Sequence, residues 1–130
     1  MKIGRTTIKG LDNLPDADLI LGFMKQVKKN TNLNFPNLLE FRKLKRSYGR
    51  ASFRHNYTKI FISEELTFDS MLFVVLHELV HISGQFHHKK SFWRKFFNNC
   101  SKMNLKISEK YIHYKSGKNY FKKLNERVLV

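Results

Sequence analysis

Apolar residues recur at Leu19, Ile20, Phe23, Met24 and Val27, the spacing of one helical face. Asp12, Asp16 and Asp18 cluster where this stretch opens, and Pro15 sits where a first helical turn tolerates it. Lys25, Lys28 and Lys29 load the far end, which complements the helix dipole. An N-terminal helix is therefore expected, followed by a turn-rich loop from Asn30 to Asn37. From Leu38 to Ser63 the helical period disappears. Tyr57 to Ser63 holds Ile60, Phe61 and Ile62, a short apolar run typical of a buried strand. Ser47 to Phe53 contains Gly49 and small residues, and His55 with Asn56 suits a hairpin turn between the two. Leu39, Phe41 and Leu44 suggest a further, less regular strand. The expected product is a three-stranded, mainly antiparallel sheet.

Met71 to Ile82 is apolar nearly all round, with His77, Glu78 and His81 as the exceptions. A helix apolar on most sides is buried. Thr67 or Asp69 is its expected cap and Gly84 its stop. Ser91 to Met103 reads as another helix, with Phe92, Trp93, Phe96 and Phe97 on its apolar face. After Leu105, Tyr111, Ile112, Tyr114, Tyr120 and Phe121 alternate with lysines around Gly117, compatible with a hairpin or with a helix and loops. These elements describe an α+β fold in a single domain over residues 1–130, with a core over about 15–105 and a basic, aromatic extension over about 106–130.

The interruptions in the buried helix carry the chemistry. Residues 77 to 81 read His-Glu-Leu-Val-His, the HExxH pattern. Histidines four apart lie one turn apart on the same face, so both imidazoles can converge on one ion. Glu78 is offset by about 100° at ~3.6 residues per turn, beside the metal rather than on it. There it can take a proton from an activated water and pass it to a leaving group. The alternative is a pair of hydrogen-bonded core histidines with a buried salt bridge. A catalytic zinc site needs a third protein ligand. His87 and His88 follow the Gly84 break, and either reaches the metal on spacing alone, whereas no Asp or Glu occurs between Glu78 and Glu109.

Charge and cysteine content narrow the setting. The chain carries 25 Lys+Arg against 10 Asp+Glu, a formal net charge of +15. A domain this basic commonly meets a polyanion, most often nucleic acid, although a coding bias toward Lys, Asn, Ile and Phe also produces such a balance. Cys100 is the only cysteine, which excludes an internal disulfide and fits a reducing compartment. Met1 to Gly10 lacks the apolar core of a signal peptide, and Met71 to Leu76 is too short an apolar run to span a bilayer. The expectation is a cytoplasmic or nucleoid-associated protein without membrane contact.

Three stretches together resemble the SprT-like metallopeptidases and their relatives with WLM-type and YgjP-type domains. Gly49-Arg-Ala-Ser-Phe-Arg54 leading to Ile60-Phe-Ile-Ser63-Glu-Glu-Leu66 is similar to the family's glycine-containing strand and the strand after it. Val74-Val-Leu-His-Glu-Leu-Val-His81 is similar to its active-site helix. His88-Lys-Lys-Ser-Phe92-Trp93 is similar to the segment in which a histidine is the third ligand and an aromatic pair follows four and five residues later. The resemblance thus implies His77, His81 and His88 as zinc ligands and Glu78 as the catalytic carboxylate. It implies a zincin-like core and proteolysis, in the better-known members of proteins bound or crosslinked to DNA, so DNA ranks ahead of RNA as a partner. Lys89 stands where Gly or Ser is usual, and no four-cysteine zinc ribbon follows.

Two basic stretches are the candidate nucleic-acid surface: Arg42, Lys43, Lys45, Arg46, Arg50 and Arg54, and, in the C-terminal extension, Lys115, Lys118, Lys122 and Lys123. Lysines interleaved with tyrosines suit phosphate tracking and base stacking, and equally a solvated face over an aromatic core. Arg54, His55 and Tyr111 to Tyr114 are candidate transition-state donors. Three functions remain: a zinc peptidase acting on proteins associated with nucleic acid, a nucleic-acid-binding regulator on the same scaffold with little proteolysis, and another zinc hydrolase such as a nuclease.

Overall fold

In a computed structural model, which describes residues 1–54 and 56–128, the chain forms an α+β fold with four α-helices and one mixed sheet of five strands. The strands are β1 (Lys2–Ile3), β2 (Thr6–Lys9), β3 (Leu38–Arg42), β4 (Gly49–Arg54) and β5 (Tyr57–Ser63). The helices are α1 (Ala17–Asn30), α2 (Phe68–Ile82), α3 (Lys90–Lys102) and α4 (Lys115–Val128). Short 3-10 turns occur at Leu11–Asn13 and Glu109–Tyr111. No helix among the described residues is long and apolar enough to cross a membrane.

The sheet corrects the expectation of three mainly antiparallel strands. Its order is β1-β2-β3-β5-β4, with β2, β3 and β5 parallel and the outer strands β1 and β4 antiparallel to their neighbours. Burial explains the order. β5 places Ile60 and Ile62, both fully buried, inside the sheet between β3 and β4, while the more polar β4 is left at the edge. β3 and β5 are consecutive neighbours in space but not in sequence, so the β4–β5 hairpin folds β4 outward. Asn56 in that hairpin adopts a φ of 64°, which asparagine tolerates. His55, expected in the same turn, lies outside the described residues.

Ile8, Leu39, Phe41, Ile60 and Ile62 point to one face of the sheet and join a single core with Ile20, Met24 and Val27 of α1, the apolar residues of α2, and Phe92, Trp93, Phe96 and Phe97 of α3. That core also takes in Ile3, Leu11, Leu14 and Ile112, so it reaches past the 15–105 stretch at both ends. The opposite face carries Glu40, Arg42, Arg50, Lys59 and Phe61, none of them in the core. The C-terminal extension resolves into a helix. Gly117 lies in its first turn, where a Cβ would sit 2.7 Å from the Trp93 ring, so the residue serves close packing of α4 and not a hairpin.

Candidate metal centre and cleft

Helix α2 is the floor of the site. The Thr67 hydroxyl caps it by accepting the Ser70 backbone N–H at 3.3 Å, and ten of its residues from Met71 to Ile82 are buried. One turn of α2 brings His77 and His81 to the same side. The helix stops before Gly84, whose φ of 100° turns the chain back along the helix end. His88 then points inward while His87 is exposed. A tight turn in which the Lys89 N–H donates to the His87 carbonyl at 2.8 Å holds this alternation.

Nε2 of His88 lies 2.9 Å from Nε2 of His77 and 3.0 Å from Nε2 of His81. The three imidazoles lie close enough to hold one metal ion. Hydrogen bonding alone does not account for the cluster. Nδ1 of His81 is 2.7 Å from the Gln85 carbonyl, which only accepts, so this nitrogen carries the proton and Nε2 presents a lone pair. One Nε2 of His88 has a single proton or a single lone pair, and cannot serve both neighbours. A shared cation satisfies all three. Around a tetrahedral zinc with Zn–N of about 2.0–2.1 Å, ligand nitrogens stand about 3.3–3.4 Å apart, within a few tenths of the two spacings from His88, and all three ligand atoms lie within 4.8 Å of one another. Burial, and the mutual repulsion of the rings, hold His77 well below the ordinary histidine range. Burial likewise lowers His81, and lowers His88 to about 4. Neutral imidazole is the ligating form.

Aromatic residues fix the ring positions. Phe92 packs against all three histidines, with centroids 4.7 Å from His77, 4.6 Å from His81 and 5.0 Å from His88. The indole N–H of Trp93 donates to the His88 carbonyl at 3.2 Å and to the Ser116 hydroxyl at 2.9 Å. The aromatic pair through which the resemblance favours His88 is thus packed against that histidine and its loop. Tyr114 stacks on His88 at 3.8 Å, leaving its phenol partly exposed.

Glu78 faces a cleft between α2 and β4. It is 6% exposed, and burial pushes its carboxyl up to about 8. Gly49 makes the approach possible, since a Cβ there would lie 2.7 Å from Val74 Cγ1 and 3.1 Å from Glu78 Oε1. Glu78, Gly49 and Tyr114 border two depressions. One is a groove along β4 that reaches His81, Phe86 and His88. The other is a deeper cavity of about 270 Å³ beside His77. Of the described candidate donors, Tyr114 is the one whose ring stacks on the histidines, on His77 and His88. Its hydroxyl is held above the usual tyrosine range by burial and then by the charge of Glu78. Arg54 lies exposed at the end of β4, away from this junction.

The basic residues divide. Arg42 and Arg50 converge on the Phe61 ring at 5.3 and 5.7 Å on the outer sheet face. Lys43, Lys45 and Arg46 are exposed on the adjoining loop, Lys43 within 3.9 Å of Glu65. Lys115, Lys118, Lys122 and Lys123 are exposed on α4, which packs against α3 and not on the sheet. The stacking residues beside the arginines, Phe61 and Tyr57, were not singled out by sequence, although their alternation with Lys59 along β5 is a readable signal. The Gln85 carbonyl, the partner that sets the His81 tautomer, has no side-chain signature at all. The chain matches no protein-family model, no curated protein and no solved structure.

Proposed function

We propose that the protein is a zinc-dependent metallopeptidase of SprT-like type with a zincin-like active site, acting in the cytoplasm or at the nucleoid on proteins associated with nucleic acid, DNA ahead of RNA. The observation that carries this reading is the convergence of the His77, His81 and His88 Nε2 atoms next to a buried glutamate on an open cleft. When bound, zinc would supply a Lewis acid that polarises a carbonyl and activates a water at neutral pH.

The chain's own residues account for the rest. β4 is the sheet's edge, paired only with β5 among the described residues. Its free backbone groups suit an extended peptide added as a further strand, which would lay a scissile amide across the junction of Gly49, Glu78 and Tyr114. Glu78 takes a proton from the attacking water and delivers it to the amide nitrogen as the C–N bond breaks, leaving a carboxylate and an amine. With a dication held by His77, His81 and His88, the Glu78 carboxyl would be lowered from its raised value and would enter the cycle ionised. The Tyr114 hydroxyl donates to the oxygen on which charge develops.

The outer sheet face supports the nucleic-acid part. Tyr57, Lys59 and Phe61 alternate along β5, opposite Arg54, Ser52 and Arg50 of β4, so stacking rings lie between cations on an uncovered surface. This face is also what favours the second reading, a regulator that binds nucleic acid without proteolysis. Glu78→Gln separates the readings. The variant is expected to keep zinc and nucleic-acid binding and to lose casein cleavage. If casein stays intact with the native zinc-loaded protein while DNA is cut, the site is a nuclease and the peptidase reading is wrong.

A further inference from the structure

We infer that the cavity beside His77 is a specificity pocket that takes one bulky apolar side chain, aromatic or long aliphatic, flanking the bond to be cut. The inference rests on the peptidase reading for its orientation but on the cavity for its chemistry. At about 270 Å³ it is smaller than the clefts of roughly 300–1,000 Å³ that enclose whole small-molecule ligands, and of the right order for one side chain. Much of its lining is apolar and buried: Phe73, Val74, Trp93, Phe96 and Ile112. Arg46, Ser47 and His113 are its exposed polar lining, while His77 and Glu78 line it from α2. Glu78 and Gly49 border it on the side of the β4 groove, so a peptide in that groove turns a side chain into the cavity as its backbone passes Glu78.

The roof is built from the other end of the chain. The Tyr111 ring stacks on Phe73 at 4.5 Å and 15°, and His113 stacks on Tyr48 at 4.4 Å across the mouth. The segment after Glu109 is therefore not a detached extension but one wall of the pocket. On the peptidase reading His77 and Glu78 are committed to the metal and the cleavage step, so a charged side chain entering here would leave water for a largely apolar lining, whereas an apolar one gains the full contact. One side chain's fit to such a pocket discriminates by on the order of 10- to 100-fold.

Two measurements test this. In a peptide library digested by the zinc-loaded protein, a single position next to the cut is expected to favour Phe, Leu or Met over Lys, Asp and Ala by on the order of 10- to 100-fold in kcat/KM. Tyr111→Ala, which opens the roof from a partly exposed position, is expected to flatten that preference while other positions stay unchanged. Cleavage with no apolar preference, or with a charged residue favoured, would overturn the inference and leave the peptidase reading intact. No cleavage of any peptide by fully loaded protein would instead overturn that reading. The second measurement needs no activity. Trp93 is the only tryptophan and borders the cavity. Its emission in metal-free protein is expected to change saturably with N-acetylphenylalanine amide and not with N-acetyllysine amide. Equal responses, or none to the aromatic probe, would show that the cavity does not select apolar side chains.

Discussion

Gly49 and Glu78 are in closest approach where the edge strand crosses the metal-site helix: a Cβ on the glycine would stand 3.1 Å from the carboxylate oxygen and 2.7 Å from Val74 Cγ1. Backbone here replaces side chain, and this lets strand and carboxylate border one cleft. Gly49→Ala is therefore expected to push β4 off α2. Overpacking of this kind costs about 1–3 kcal/mol. Cleavage should fall at least about tenfold from a sub-ångström to ångström displacement, while zinc content stays at the native level. Calorimetry, elemental analysis and casein turnover on one preparation check it. Unchanged turnover would mean that the strand does not position substrate.

The metal site makes a residue-by-residue prediction. The native protein is expected to hold about one zinc per chain. His77→Ala and His81→Ala should lose it and His88→Ala should weaken it severely, whereas His87→Ala should bind like native, because its ring is outside the cluster. Chelation should also lower the native Tm, since metal bound only by the folded state adds to stability. A His87→Ala variant that lost its zinc would contradict the assignment of His88.

Trp93 tests whether the loop clamp matters. Trp93→Phe keeps most of the ring's packing but removes the N–H that reaches the His88 carbonyl and Ser116. Groups that orient metal ligands are worth about 10- to 100-fold in affinity. Competition with a chelator of known strength should show a loss in that range. The rest of the fold should hold, with helical circular dichroism unchanged.

Glu78 predicts a pH-dependent stability in the metal-free protein. Burial raises its carboxyl from 4.5 to about 8. Below the unfolded value both states are protonated and nothing is lost. As pH rises from 4.5 toward 8 the unfolded chain releases the proton while the folded chain resists, so stability falls across this window. Glu78→Gln removes the effect. It is expected to stabilise the metal-free protein at pH 8 by on the order of 1–3 kcal/mol after relaxation and water entry, read as a higher Tm, and to change little at pH 4. Equal effects at both pH values would mean that the carboxyl is solvated.

On the outer sheet face, Arg42→Ala with Arg50→Ala should weaken binding to single-stranded DNA and reduce the salt dependence, by a slope of about 1.4 for two phosphate contacts. The pair Lys122→Ala and Lys123→Ala on α4 should change both less. The reverse order would move the nucleic-acid surface to the C-terminal helix.

Much of the site was legible along the chain because it is local. His77, Glu78 and His81 share a helix whose apolar run announces its burial, whereas spacing left His87 and His88 both open and only the resemblance to the family's segment before Phe92 and Trp93 favoured His88. Tyr57 to Ser63 and the helix after Phe68 were likewise readable, since period and capping are properties of neighbouring residues. What required the tertiary structure is everything that depends on which distant segments meet. Thr6 to Lys9 becomes a strand by pairing with Lys2 and Ile3 on one side and with Leu38 to Glu40 on the other, and β3 finds β5 rather than β4 because the more apolar strand takes the interior position. The apolar cavity needs α2, α3 and the segment after Glu109 together, and the His81 tautomer is set by a backbone carbonyl that every residue type carries. Sequence determined which faces must be buried and that His77 and His81 share one side of a helix. Only the folded chain decided their partners, because side-chain periodicity specifies a face and is silent about what will cover it.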